Sequence, residues 1–195
     1  MFSTSLGIYR NATQINEAMG RVYGHMGLAV LTSMIISILV GNSPALIQFF
    51  FTGVMKWVTL FAPLAVILVA SFAMDNFSKT GLQLFLHGFA ALMGLSFSAI
   101  FVIYTTTSIV SAFMGSAVLF GVMSFYGYFT KRNLDSLGQF MLIGLIAIVI
   151  ASVINIFIGS TLMQMVVSAL AVIIFLGLTA YDTQKIREMV TYDND

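Results

Sequence analysis

Asp182 is the ionisable residue whose position in the chain most favours a functional role. It directly follows a long apolar run, lies three residues after Thr179, and precedes Gln184 and Lys185. Thr179 shares one helical stripe with it. Ionisable groups at the edge of a membrane span usually face protein or water and mark functional sites. Asp182 is therefore the candidate ion-binding or pH-sensing group, with Thr179, Asn155, Gln184 and Lys185 as supporting polar groups.

A structural role would explain Asp182 equally well from its position alone. An aspartate at a helix end can contact water and pair with Lys185, three residues later. An unperturbed aspartate titrates near ~3.9, so a sensor of near-neutral pH requires burial or a second carboxylate beside it. The sensor hypothesis therefore depends on the surroundings of Asp182.

Composition predicts the elements that must position this residue. Of 195 residues, 59% are hydrophobic and 8% charged, whereas soluble domains carry about 25% charged residues. Such a chain is an integral membrane protein, and apolar runs of about 20 residues cross a bilayer as α-helices. The sequence predicts an all-α, polytopic helical bundle in which residues 1–195 form one membrane domain. The six predicted transmembrane helices are 25–40, 55–74, 82–104, 107–126, 140–158 and 162–181.

The distribution of Lys and Arg predicts the orientation of the bundle. With the N-terminus in the cytosol, seven of the eight basic residues lie on the cytosolic side, and Lys56 lies opposite. Cytosolic loops are enriched in these residues. We therefore expect a cytosolic arm over 1–23, a cytosolic polar tail over 183–195, and Asp182 at the cytosolic end of the sixth helix.

Small and polar residues predict how the helices associate. Membrane helices pack through small residues spaced four apart and through interhelical hydrogen bonds. Ser33, Ser37 and Gly41 form such a series, as do Gly94 and Ser98, and Ser111 and Gly115. The fifth segment carries a similar face that includes Gly144 and Asn155. Asn155 is interpreted first as an interhelical hydrogen-bonding residue and second as a residue lining a pore.

The reactive residues do not form an enzymatic set. The chain contains no cysteine and two histidines, His25 and His87, which lie at the start of the first and early in the third apolar segment. A serine nucleophile requires a base within reach, and aspartyl protease chemistry requires two carboxylates that share a proton. No second aspartate follows within a later apolar segment. We expect no enzyme, no cofactor and no nucleic-acid partner.

Four stretches together resemble the Bax inhibitor-1 family in its bacterial branch. They are RVYGHMGL at 21–28, SFYGYFTKRNLDSLG at 124–138, NIF at 155–157 and YDTQK at 181–185. The resemblance implies a seven-helix membrane protein that lets calcium leak across the bilayer in a pH-dependent way. It also implies that Asp182 pairs with an aspartate on the seventh helix to sense pH and gate the pore.

The sequence departs from this family in two places. Residues 191–195 are polar where the family continues into its last hydrophobic helix, and Asp193 and Asp195 lie outside any apolar run. A seventh helix with the partner aspartate is expected after this point in the intact protein. Residues 73–79 also lack the arginine that some relatives use to latch the sensor.

These observations predict a pH-sensitive calcium leak in the inner membrane of a bacterium. Its partners would be the lipid bilayer and the calcium ion, which Asp182 would contact during transport. The alternative is a membrane scaffold or modulator without ion conduction, which binds a membrane protease or a cell-survival partner. In that case Asp182 has only a packing role.

Overall fold

The computed structural model describes residues 11–73 and 77–192 as helices joined by short turns. All regular elements in these ranges are α-helical, so the all-α prediction is confirmed. The helices are α1 (Ala12–Gly41), α2 (Pro44–Phe51), α3 (Met55–Ala73), α4 (Lys79–Phe97), α5 (Ile100–Ile103), α6 (Thr106–Phe129), α7 (Asp135–Ile158) and α8 (Thr161–Tyr192).

The membrane spans agree with the predicted helical bundle. Five spans are long and apolar enough to cross a bilayer, with α4 and α5 counted together, and a sixth arises if α2 and α3 form one broken span bent by 77°. Gly53 lies in the bend with a φ of 57°, a conformation that glycine adopts without steric cost. Residues 11–73 and 77–192 therefore contain five candidate spans, or six if the bent α2–α3 pair is one span.

Two helices continue beyond the apolar segments that predicted them. α1 begins at Ala12 and α8 continues to Tyr192. Hydropathy marks the apolar part of a helix, whereas a helix ends where its backbone bonds are capped or a breaker occurs. Residues 1–10 of the predicted arm, residues 193–195 of the predicted tail and residues 74–76 lie outside the described residues.

The chain forms two compact units, and each is described separately. Unit 1 contains residues 1–19 and 113–195. Within it α7 and α8 are antiparallel neighbours in close contact, because glycine leaves room for a large side chain at three points. Tyr181 lies over Gly138, Ile174 over Gly144 and Met141 over Gly177.

Unit 2 contains residues 20–112. In this unit α1 packs tightly on α4, since a Cβ atom on Gly94 would overlap the backbone of Ser33. Ser33 Oγ donates a hydrogen bond to the Ala90 carbonyl at 2.6 Å, and Thr32 Oγ1 lies 3.1 Å from His87 Nδ1. Polar contacts between helices thus accompany small-residue packing, as expected in a membrane.

A second set of hydroxyl groups joins α4, α3 and α2 within unit 2. Ser96 donates to the carbonyl of Thr59 at 2.7 Å, and the buried Thr59 hydroxyl donates to the carbonyl of Phe50 at 3.1 Å. Both bonds satisfy polar groups that would be costly to leave unpaired in lipid.

Candidate functional site

Asp182 lies on the open side of α8. Successive residues of a helix are about 100° apart, and the two residues before Asp182 face the packed side. Tyr181 lies against Gly138 of α7, and Ala180 lies against Gly127 of α6. Asp182 consequently points away from both neighbours and is exposed. Among the described residues, its carboxylate forms no hydrogen bond or ion pair.

Thr179 is one helical turn before Asp182, on the same stripe. Its Oγ1 donates to the carbonyl of Phe175 at 2.7 Å within α8, so the proton of the hydroxyl is already used. The oxygen keeps lone pairs that can accept a bond or approach a cation. Thr179 and Asp182 therefore place a hydroxyl oxygen and a carboxylate on one open face.

Gln184 serves the loop between α6 and α7 rather than Asp182. It is buried, its Oε1 accepts from the backbone N–H of Leu134 at 2.9 Å, and its Nε2 donates to the carbonyl of Arg132 at 2.8 Å. Both ends of the amide are thus occupied. Gln184 fixes the loop where α7 begins, and the sequence pattern around Asp182 contained no signal for this role.

Lys185 pairs with Asp135 and not with Asp182. Its Nζ atom lies 3.9 Å from Asp135 Oδ1, and both side chains are 47% exposed. Exposed pairs of this kind contribute about 0–1 kcal/mol. The structure therefore does not show the alternative in which Lys185 neutralises Asp182. The Asp182 carboxylate remains available to interact with a cation or a proton.

Asn155 lies near the C-terminal end of α7, next to the start of α8 and far from Asp182. The segment from Thr161 to Asp182 spans ~30 Å at the helical rise. Asn155 Oδ1 accepts from the backbone N–H of Ser160 at 3.1 Å, beside Gly159, whose φ is 68°. Its side chain thus caps the turn between α7 and α8 instead of forming the expected bond between helices. The N–H of Ser160 follows the glycine turn and needs an acceptor, which the Asn155 side chain provides.

A polar cluster near Asp182 was not predicted, and we call it the loop-end clamp, formed by Asn16, Tyr128 and Arg187. Arg187 Nη1 donates to the carbonyl of Tyr128 at 2.7 Å, and its guanidinium lies 5.3 Å from the centre of the Tyr128 ring. The Tyr128 hydroxyl donates to Asn16 Oδ1. The clamp joins α1, α6 and α8 at the end of unit 1 that carries the α6–α7 loop, which we call the loop end.

The described residues supply few ligands for a resident metal ion. They contain no group of three or more His, Asp or Glu side chains that could hold one. Calcium takes six to eight oxygen ligands in its protein sites, far more than Asp182 and Thr179 provide. The arrangement can attract a cation or exchange a proton.

Comparison with known proteins places the chain in a family. Residues 15–195 match the family described as inhibitor of apoptosis-promoting Bax1. The inner membrane protein YbhL of Escherichia coli K12 is 36% identical over 189 residues, which cover 96% of this chain and 81% of that protein. A protein of Deinococcus radiodurans is 34% identical over 178 residues, 90% of this chain and 75% of that protein.

A membrane protein of Streptococcus pyogenes is 41% identical over 131 residues, which cover 67% of this chain and 57% of that protein. No solved structure matches the chain. Together with the apolar spans, these relatives support a multi-pass protein of a bacterial inner membrane. The extent of the family match, which includes all four stretches of resemblance, leads to one conclusion: the chain belongs to the Bax inhibitor-1 family.

Proposed function

We propose that the protein is a pH-sensitive calcium leak of the inner membrane, with Asp182 as its ionisable group. The observation that carries the proposal is the position of this carboxylate at the end of an apolar span. It is exposed on the open face of α8 and has no ion-pair partner among the described residues, so a response near neutral pH requires the second carboxylate that the family resemblance implies beside it. Family membership supports the same role for the aspartate of the Tyr-Asp-Thr-Gln motif.

Competition between protons and calcium would give the pH dependence. The ionised carboxylate attracts a divalent cation, and the protonated carboxyl does not. The attraction is therefore present above the pKa of the group and is lost as the pH falls through it. The Thr179 hydroxyl oxygen lies one turn away on the same face and adds a neutral ligand. No covalent step, resident cofactor or enzymatic reaction is part of the proposal.

Calcium flux into liposomes tests the proposal. We expect the wild-type protein to pass calcium at a rate that depends on pH, and Asp182→Asn to flatten that dependence. Asp135→Asn is the matched control, because Asp135 is also an exposed carboxylate of unit 1 but is paired with Lys185. It should keep the wild-type profile.

Two outcomes would contradict the proposal in different ways. If Asp182→Asn and wild type give the same pH profile, Asp182 is not the sensor. If no variant passes calcium at any pH, conduction itself fails, and the scaffold alternative, in which the protein binds a membrane partner, is favoured.

A further inference from the structure

The hydroxyl of Ser124 is a buried polar group with an unmet hydrogen-bonding requirement. Ser124 lies on α6, is 8% exposed, and its Oγ atom has no hydrogen-bond partner within residues 11–73 and 77–192. Buried hydroxyl groups without a partner are rare, because desolvation of the group is then uncompensated. A partner other than a described side chain or backbone group is therefore needed.

Other hydroxyl groups of the helices show that this arrangement is unusual. Ser152 of α7 donates to the Ile148 carbonyl at 2.8 Å, and Thr179 and Thr191 of α8 also donate to the carbonyl four residues earlier. This bond is open to any helical serine or threonine. Ser124 does not form this hydrogen bond. Its hydroxyl group therefore remains free to bind another group between the packed helices.

The surroundings of Ser124 form a seam between two closely packed backbones. Gly127, three residues later on the same face of α6, lies so close to α8 that a Cβ atom would overlap the carbonyl group of Ala180. A helical carbonyl oxygen keeps a second lone pair after its own helical bond. The seam therefore offers a free hydroxyl and backbone oxygens, which are hydrogen-bonding partners for water.

We infer that the α6–α8 seam contains a hydrated site in which a water molecule binds the Ser124 hydroxyl and is exchanged from the loop end past the loop-end clamp. Tyr128 of the clamp lies one turn beyond Ser124 on α6, and Arg187 holds it against α8. Asp182 points to the other side of α8. The hydrated site is thus separate from the carboxylate of the proposed function and does not depend on calcium conduction.

Thiol labelling gives a direct test, because the chain contains no cysteine. Ser124→Cys introduces a single thiol, which reacts with the small reagent methyl methanethiosulfonate only as a hydrated thiolate. Leu178→Cys is the matched control, since Leu178 is 9% exposed but apolar and lies in the same unit. We expect Ser124→Cys to react about tenfold faster than Leu178→Cys, and Arg187→Ala to accelerate only the former. Equal rates would overturn the inference.

Thermal stability provides a second readout if the cysteine variant does not fold. Ser124→Ala removes the hydroxyl that anchors the bound water, so in a hydrated seam the melting temperature falls. In a dry seam the same change removes an unsatisfied polar group, and the melting temperature rises. Ser152→Ala serves as control for the loss of a hydroxyl that is satisfied within its helix. A rise for Ser124→Ala alone would overturn the proposal, whatever the calcium flux of Asp182→Asn.

Discussion

At the scale of single residues, the loss of the Gln184 side chain should be strongly destabilising. Gln184→Leu removes two bonds and leaves the N–H of Leu134 and the carbonyl of Arg132 unpaired near a buried position. Each orphaned group costs about 1–3 kcal/mol, so for two groups we expect the free energy of unfolding in detergent to fall by about 2–6 kcal/mol. Gln164→Leu, at an exposed position of the same helix, is the control. Similar losses for both variants would contradict the role of Gln184.

Local sequence patterns identified Asp182 but not what surrounds it. Its position after an apolar run is visible in the sequence, whereas Gln184 and Arg187 bind groups more than 50 residues away. Such pairings depend on which helices become neighbours, and spacing along one helix does not specify this. The same reason explains Asn155, whose polar side chain was visible but whose partner in the following turn depended on the conformation of Gly159.

At the scale of helices, two glycines of α6 should respond oppositely to the same substitution. Gly127→Ala forces a Cβ atom into the backbone of Ala180, which cannot move aside as a side chain would. Overpacking of this kind costs about 1–3 kcal/mol. Gly115→Ala meets nothing within 4 Å, and the higher helix propensity of alanine should stabilise by about 0.5–1 kcal/mol. Unfolding in detergent would measure both; destabilisation by Gly115→Ala would indicate a contact that α6 makes through Gly115.

Small-residue spacing predicted some helix contacts correctly and missed others. Ser33 and Gly94 were predicted as packing positions on separate segments, and in unit 2 they lie against each other. Gly144 also packs as expected, beneath Ile174. Gly115 had the same signature, but a Cβ atom at this position would meet no neighbouring helix within 4 Å. Small residues permit close approach without requiring it, so the pattern shows where helices can meet but not which of them do.

At the scale of the whole molecule, the all-helical architecture with several membrane spans was the most predictable property. Long apolar segments fix the number of spans because a helix of about 20 residues matches the bilayer thickness. Hydropathy could not show the 77° bend between α2 and α3, because both helices are apolar. The bend depends on the backbone at Gly53 rather than on the hydrophobic pattern.

The orientation of these spans is a prediction that two engineered thiols can test. Because α7 is long and apolar enough to cross the bilayer, the loop before it and the turn after it should lie on opposite sides. Lys131 and Arg132 make the loop basic, whereas the turn at 159–160 has no charge, so the loop should face the cytosol. In right-side-out vesicles an impermeant thiol reagent should label Thr161→Cys and spare Lys131→Cys, with the opposite result in inverted vesicles. Both positions are exposed, so access within the protein does not limit labelling. The reverse labelling pattern would place Asp182 on the periplasmic side of the membrane. Its carboxylate would then be exposed to the external pH instead of the cytosolic pH.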